Sequence, residues 1–366
     1  MYKVAREHAS AISAVQRGLA DMAVDMHFDA DTSMNERYGP GGRRLWRTEV
    51  LSRLAHLVEA VACDRPAFYG GHVAWAADAL RARNVPEDDI QEHVVAIAEC
   101  LAKELPESVA KYVSRFSQAA TAALADTPGH DHGLIEETSP DSTLSRLFLL
   151  QLLQRDQEAA AAIALEALHG GLPLVAVYER IVAPAMCEIG RMWHMQEASI
   201  ADEHFCTSAV RTIVAQLRTA AKAKPADGRR ALCCSVGGDM HESGLRMVAD
   251  LLEMDGWTVE FLGANVPATE VIMSIAESAA SESRAFRLVA ASASTMLSVR
   301  AAMDLADAMK ASPEAQHVPL LLGGGVFTAN DGLAESIGAA AAARSLSEAV
   351  AVAGRLVPAP GASKPR

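Results

Sequence analysis

The stretch ALCCSVGGDMHESG, residues 231–244, determines how the C-terminal part of the chain is interpreted. A short apolar run from Ala231 to Val236 ends in two glycines, and Asp239 and His241 follow before a helical pattern begins at Gly244. A buried strand that passes through glycine into a helix is the first unit of a parallel α/β fold.

Short apolar runs and helical patterns continue to alternate along the rest of this region. They predict strands at 231–236, 257–262, 288–291, 318–322 and 339–342, and helices at 244–254, 268–283, 298–311, 331–336 and 345–354. Strands connected through helices lie parallel, with right-handed crossovers. Residues 229–356 are therefore expected to form a flavodoxin-like, doubly wound, five-stranded parallel sheet, which binds ligands at the C-terminal ends of its strands.

Two helical blocks precede this domain. Apolar residues recur with helical period in residues 1–125, which predicts a helical domain, and residues 143–222 predict four helices that suit a four-helix bundle. The polar stretch 126–142 is expected to be a linker, and the tail 357–366 is expected to be disordered. The expected fold class is α plus α/β.

Composition argues against several classes of function. A net charge of −13 disfavours a nucleic-acid-binding module, and the six cysteines show no paired spacing of a zinc site or disulfide framework. No apolar run approaches the ~20 residues of a membrane-spanning helix, and the N-terminus lacks the apolar segment of a secretory signal. We expect a cytoplasmic protein that binds neither nucleic acid nor membrane.

Asp239 and His241 place a carboxylate two residues before an imidazole, at the C-terminal edge of the first predicted strand. A neutral imidazole is a good ligand for a transition metal, and a carboxylate on its other nitrogen fixes the tautomer. Gly244 lets the backbone approach a bulky ligand. The stretches 292–294 (Ser-Ala-Ser) and 323–325 (Gly-Gly-Gly) fall on the same edge.

The order Asp-x-His-x-x-Gly, Ser-x-Ser, Gly-Gly resembles the signature of the cobalamin-binding Rossmann-like domain. This resemblance implies that His241 replaces the cofactor's own dimethylbenzimidazole as the lower cobalt ligand, with Asp239 as its hydrogen-bond partner. The displaced nucleotide tail is then expected to be buried along Ser292, Ser294, Gly323 and Gly324, and Ser243, Gly244 and Val266 are further candidates for cofactor binding. Residues 262–267 also resemble the family's segment after its second strand. The sequence departs from the family pattern in two places, because Ser294 replaces a common leucine and residues 281–284 lengthen the spacing before Ser292.

The second helical block contains Trp193 and His194 and, after nine intervening residues from Trp193, Glu203 and His204. This arrangement resembles the helical cap of cobalamin-dependent photoreceptors, a group that includes light-sensing transcriptional repressors. The resemblance implies that Trp193 packs against the 5′-deoxyadenosyl group and that Glu203 and His204 surround it. It also implies that His194 takes the upper cobalt position once light breaks the cobalt–carbon bond, which shifts the cap against the Rossmann-like domain.

The N-terminal block has no recognisable basic winged-helix module of the kind those repressors carry. Its length and position resemble the photocobilins, which join a helical biliverdin-binding domain to a cobalamin sensor. Biliverdin requires an apolar slot, aromatic walls and cations, for which the candidates are Arg43, Arg44, Trp46, Arg47, Phe68, Tyr69, His72 and Trp75. Two alternatives are a helical dimerisation or docking module with Trp46 and Trp75 in its core, and an antirepressor surface that contacts a transcription factor.

The resemblances together predict a light sensor and not an enzyme. The sensor would bind adenosylcobalamin in the base-off/His-on form, with biliverdin as a suspected second chromophore, and ligand exchange would alter domain arrangement or oligomeric state. A light-dependent homo-oligomer and a downstream protein partner are expected. The main alternative is a corrinoid methyl carrier of a methyltransferase system, although such carriers generally lack the Trp with the Glu-His pair.

Overall fold

The computed structural model describes residues 2–125, 135 and 140–361. The chain divides into two compact units, Met1–Asp131 and His132–Arg366. Most of the predicted linker 126–142 and the last residues of the predicted tail lie outside the described residues. Within the part of the chain that the structure describes, no helix combines the length and apolar character needed to cross a membrane.

The first unit is entirely helical, in agreement with its helical periodicity. Its helices are α1 (Lys3–Ala30), α2 (Met34–Tyr38), α3 (Gly42–Ala62), α4 (Pro66–Ala82), α5 (Glu87–Glu104) and α6 (Glu107–Ala125). Helix α1 packs against α3 and α5, and α4 packs against α6. Three acidic residues in the first turn of α5 complement the positive end of its helix dipole.

The second unit begins with a group of cap helices. They are α7 (Pro140–Leu153), α8 (Gln157–His169), α9 (Leu174–Val177), α10 (Ala183–His194) and α11 (Ile200–Ala220), with a π-helical turn at Tyr178–Val182 that joins α9 to α10. Their shared core includes Phe148, Leu152, Ile181 and Ile213, which are fully buried. A capping box begins α11, because the Ser199 hydroxyl and the Asp202 carboxylate satisfy each other's backbone N–H groups.

The sheet of the second unit has five parallel strands in the order β2-β1-β3-β4-β5, which confirms the predicted flavodoxin-like topology. The strands are β1 (Arg230–Val236), β2 (Thr258–Val266), β3 (Leu288–Ser292), β4 (Leu320–Gly323) and β5 (Ala341–Ala342). All residues of β1 after Arg230 are buried, as expected for a central strand covered on both faces.

Helices cover the sheet between and after its strands. They are α12 (Ser243–Met254), α13 (Ala268–Ala279), α14 (Val299–Ala311), α15 (Gly325–Thr328), α16 (Leu333–Ser336) and α17 (Leu346–Leu356). Two bounds differ from the sequence prediction by four residues, whereas the bounds of the other predicted elements differ by two residues or fewer. Helix α13 ends at Ala279 and not at 283, because the polar residues that follow form a turn, and β2 continues past 262 to Val266. The longer β2 brings its last residues to the loop that follows β1.

Candidate functional site

A hydrogen-bonded pair, Asp239 and His241, stands on the loop after β1. Nδ1 of His241 lies 2.9 Å from Oδ1 of Asp239, and the backbone N–H of His241 donates to the same oxygen at 2.9 Å. Because Nδ1–H is used by the carboxylate, Nε2 is the ring nitrogen that can bind a metal. The structure thus brings together the two residues that the Asp-x-His spacing singled out.

Asp239 is held by residues that follow β3 as well as by His241. Its Oδ2 accepts hydrogen bonds from the Ser294 backbone N–H and, at 3.1 Å, from the Ser298 hydroxyl. Burial alone would raise the pKa of Asp239, but the hydrogen bonds from His241 and Ser294 lower it overall. The carboxylate is therefore fixed in its charged form before any ligand binds.

The side chain of His241 is exposed to solvent, whereas that of Asp239 is buried. Their relative exposures are 66% and 0%. The hydrogen bond to Asp239 raises the pKa of His241 despite partial burial, and the charge of Glu203 from the cap helices adds to that effect. An oriented, basic imidazole with an accessible Nε2 has the donor chemistry required of an axial cobalt ligand.

Asn265 supports the same loop from the end of β2. Its Oδ1 accepts from the Gly238 N–H at 2.6 Å and its N–H donates to the Asp239 carbonyl at 2.9 Å, while its φ is 57°. A positive φ is uncommon for residues other than glycine, but asparagine tolerates it better than most. Here the asparagine side chain also accepts a hydrogen bond from the backbone of the loop. Asn265 belongs to the segment 262–267, which resembles the family's segment after its second strand, whereas no sequence pattern indicated Ser298.

The residues expected along the nucleotide tail lie around the same sheet edge. Ser292 and Ser294 place their hydroxyl oxygens 3.5 Å apart, and Val266 pairs with Val236 at the end of β2. Gly324 has a φ of 98°, and a Cβ at this residue would clash with the Ala293 carbonyl oxygen, so only glycine fits.

Ser243 and Gly244 open α12 directly after the His241 loop. A Cβ built at Gly244 would meet no atom within 4 Å, and one built at Gly323 would find its nearest atom at 3.7 Å. Both glycines therefore border space at the sheet edge in which a ligand can approach the backbone.

The cap residues Glu203 and His204 form a small network at the start of α11. Oε2 of Glu203 accepts from Nδ1 of His204 at 2.6 Å, and Oε1 accepts from the Thr207 hydroxyl at 2.8 Å. Burial would raise the pKa of Glu203, but His204, Thr207 and the charge of His241 lower it overall. Thr207 was not anticipated; its i+4 spacing from Glu203 was the available signal.

Trp193 and His194 are consecutive in the last turn of α10 but differ in exposure. Trp193 is 39% exposed, whereas His194 is 9% exposed. The structure therefore exposes the indole of Trp193 and buries the imidazole of His194. An ion pair connects the cap helices to the start of α12 after the His241 loop, with Arg211 of α11 2.9 Å from Glu242.

The candidate bilin-binding residues of the first unit separate into an outer and an inner set. Arg43 pairs with Asp25 and Arg47 pairs with Asp21, both on α1. Arg44 is exposed to solvent. Trp46, Phe68, Tyr69 and His72 are buried, and Trp75 is 49% exposed. The structure does not bring the three arginines together with the buried aromatic side chains.

Comparison with protein families matches two adjacent stretches of the second unit. Residues 229–353 match a family model described as B12 binding domain, and residues 145–218 match a second model with the same description. The first stretch covers the sheet with the His241 loop, and the second covers the cap helices with Trp193 and Glu203.

Two curated proteins of Myxococcus xanthus are similar to part of the chain. One is the HTH-type transcriptional repressor CarH, 25% identical over 139 residues, which are 38% of this chain and 46% of the repressor. The other is the HTH-type transcriptional repressor CarA, 39% identical over 69 residues, or 19% of this chain and 24% of the repressor. The chain thus spans less than half the length of the curated relatives it matches.

Among solved structures, the monomethylamine corrinoid protein of Methanosarcina barkeri covers 58% of this chain with 98% of its own length. The TM-score is 0.48 and the sequence identity is 20%.

Proposed function

We propose, from the premise that the second unit consists of B12-binding domains with a helical cap and a Rossmann-like cobalamin fold, that this protein is a light sensor and not an enzyme. Its cofactor would be adenosylcobalamin in the base-off/His-on form, with His241 as the residue that would supply the lower ligand. The observation that carries the proposal is the exposed His241 imidazole, which a buried carboxylate holds and which lies close enough to Glu203 of the cap helices for that charge to raise its pKa.

When bound, adenosylcobalamin supplies a cobalt–carbon bond that visible light breaks. The residues of this chain hold and orient the cofactor. Asp239 fixes the tautomer of His241, the exposed Trp193 indole would cover the adenosyl group, and Glu203 would accept hydrogen bonds from its ribose hydroxyls. Ser292, Ser294 and the glycines at the sheet edge would line the nucleotide tail.

In this proposal His194 would supply a second imidazole to the cofactor after illumination. His194 is buried in the last turn of α10, so its binding to the cofactor would be coupled to a local rearrangement of that turn. Such a rearrangement would shift the cap helices against the sheet. The shift changes a homo-oligomeric interface or the contact with a downstream protein partner.

The first unit is the place we propose for a second chromophore, biliverdin. The buried aromatic side chains Trp46, Phe68, Tyr69 and His72 support this proposal because a linear tetrapyrrole needs an apolar slot with aromatic walls. The outer arginines do not support it, since Arg43 and Arg47 are already paired with carboxylates of α1.

The test is an absorption spectrum of the full chain reconstituted with adenosylcobalamin and biliverdin, in the dark and after green illumination. We expect dark adenosylcobalamin bands that convert on illumination, loss of the His-ligated spectrum in His241→Ala, and an altered photoproduct in His194→Ala. His317→Ala, an exposed histidine before β4, is the matched control and should behave as the unmodified chain. Corrin bands that never respond to light would refute the sensor and leave a corrinoid methyl carrier. A photoproduct unchanged in His194→Ala would refute the ligand exchange.

A further inference from the structure

Arg53 lies in the middle of α3, in the interior of the first unit. Its side chain is fully buried, and among the residues that the structure describes none of its Nε, Nη1 and Nη2 atoms has a hydrogen-bond partner. A charged group without a partner in a protein interior is strongly unfavourable, so buried guanidinium groups are normally paired. Burial lowers the pKa of Arg53 and the charges of Tyr69 and Glu49 oppose that shift, but no described residue accepts a hydrogen bond from the guanidinium.

Other unpartnered donors surround this guanidinium. Nε2 of His72 in α4, Nε2 of His93 in α5 and Nε1 of Trp46 in α3 are buried and lack hydrogen-bond partners among the described residues. Burial, and then the positive charge of Arg53, lowers the pKa of His93, and burial with the charges of His56 and Arg53 lowers that of His72 to about 2. The two histidines are therefore neutral, and each can donate one N–H without adding charge.

Aromatic rings line the same interior. The Trp46 ring lies 4.6 Å from the His93 ring and 4.8 Å from the His27 ring, and the rings of His56 and His72 stack at 3.3 Å between centroids. Flat rings beside unpartnered donors suit a ligand that is both conjugated and anionic.

We infer that the interior of the first unit, between α3, α4 and α5, binds a conjugated ligand through a carboxylate held by Arg53. His72, His93 and Trp46 supply further donors. One carboxylate balances the single buried guanidinium, whereas a doubly charged phosphate would leave excess negative charge among neutral histidines. The inference rests on the proposed second chromophore, biliverdin, which sets the size of the ligand. It assigns the ionic contact with the ligand to Arg53 and not to the outer arginines.

The experiment titrates the full chain with biliverdin and with biliverdin dimethyl ester, which lacks the free carboxylates, and follows far-red absorption. We expect the unmodified chain to bind biliverdin at least about tenfold more tightly than the ester, and Arg53→Met to remove this preference. Arg53→Lys, which keeps the charge, should restore part of it. Arg44→Met, an exposed arginine on the same helix, should bind both compounds as the unmodified chain does.

A second measurement uses the ligand-free protein. Because Arg53→Met removes an unpaired buried charge, it should raise the thermal unfolding midpoint of the first unit, while Arg44→Met should leave the midpoint unchanged. A lowered midpoint together with an undiminished preference for biliverdin would overturn the inference and make Arg53 a packing residue. If Arg53→Met does not fold, the inference is tested by comparing biliverdin with its dimethyl ester in the unmodified chain and in Arg53→Lys.

The measurements distinguish two outcomes: the first unit does not bind biliverdin, or Arg53 does not bind the carboxylate of a ligand. If the unmodified chain binds no biliverdin, the biliverdin proposal falls, and the same variants are titrated with protoporphyrin IX and its dimethyl ester. A preference for the free acid that Arg53→Met abolishes supports the carboxylate site; equal binding of acid and ester overturns it.

Discussion

The Tyr178 hydroxyl donates a hydrogen bond to the Asp250 carboxylate at 3.0 Å, and this bond joins the cap helices to α12 of the sheet domain. Asp250 is fully buried and also accepts from Arg246, one turn earlier on α12, at 2.9 Å. Burial raises the pKa of Asp250 even though Arg246 and Tyr178 oppose the shift. Helix α12 begins two residues after His241, so the bond links the π-helical turn before α10 to the helix that follows the His241 loop.

We predict that Tyr178→Phe destabilises the second unit by about 1.5–3 kcal/mol, because a buried carboxylate loses one of its donors. The measurement is the free energy of unfolding of that unit in urea. Tyr112→Phe is the control, since Tyr112 makes a comparable bond to Asp64 on the exposed surface of the first unit. An equal, small effect of both variants would mean that the Tyr178 bond adds little to stability.

Replacing Asp239 with asparagine should weaken cobalamin binding by about 10–100-fold, because the variant loses the charge that orients His241 and increases its basicity. Titration of the full chain with adenosylcobalamin in the dark measures this effect. Asp331→Asn, an exposed aspartate paired with Arg344, serves as the control and should bind normally. Unchanged affinity in Asp239→Asn would show that orientation of the ring does not limit binding.

Acid should destabilise the first unit, because its buried histidines resist protonation. Burial lowers the pKa of His27 from 6.5 to about 4, against a smaller opposing effect of Asp89. The unfolded chain takes up the proton as pH falls through 6.5 while the folded unit does not, so stability is complete above pH 6.5 and declines down to about pH 4.

His27→Leu should therefore reduce the loss of unfolding free energy between neutral pH and pH near 4.5 by about 2 kcal/mol. Urea unfolding of the first unit at the two pH values measures the difference. His8→Gln, a half-buried histidine on the same helix, is the control. An unchanged pH dependence in His27→Leu would mean that His27 is protonated in the folded unit.

Two glycines of the second unit allow the cost of a left-handed backbone to be distinguished from the cost of a steric clash. Gly324 and Gly338 have φ values of 98° and 102°, but only Gly324 has atoms close to the position of a Cβ. We predict that Gly338→Ala costs about 1–2 kcal/mol of stability from the left-handed backbone alone, and that Gly324→Ala costs clearly more. Urea unfolding of the second unit compares them; equal effects would show that the loop after β4 moves to accommodate a methyl group.

The sheet could be predicted from the sequence because each strand of this fold is a short buried run between turn residues. The apolar run ending at Val236, with two glycines after it, indicated both β1 and the loop that carries His241. Parallel topology then placed Ser292 and Gly324 on the same edge. Ser298 was missed, and the hydrogen bonds of Asn265 could not be predicted, because the contacts of both residues with the loop depend on strand order and on local loop conformation, which periodicity does not report.

The first unit shows a different limit. The outer arginines were chosen as anion anchors because they cluster in sequence, yet consecutive residues of a helix point in different directions. Arg53 shares the buried face of α3 with Val50, Leu54 and Leu57, at spacings of three, one and four residues. The sequence does show Arg53 as a charged residue on an otherwise apolar face of α3. Amphipathic periodicity alone, however, does not indicate that such a residue is buried.

The hydrogen bonds of Asp239 also bear on the order in which the protein is made. The carboxylate that orients His241 is completed by Ser294 and Ser298, which leave the ribosome more than fifty residues later than His241. A nascent chain that ends before β3 presents the histidine without its full set of supports. We therefore expect His241 to be fully oriented for ligand binding only after the chain has been synthesised through α14 and the sheet has closed around Asp239.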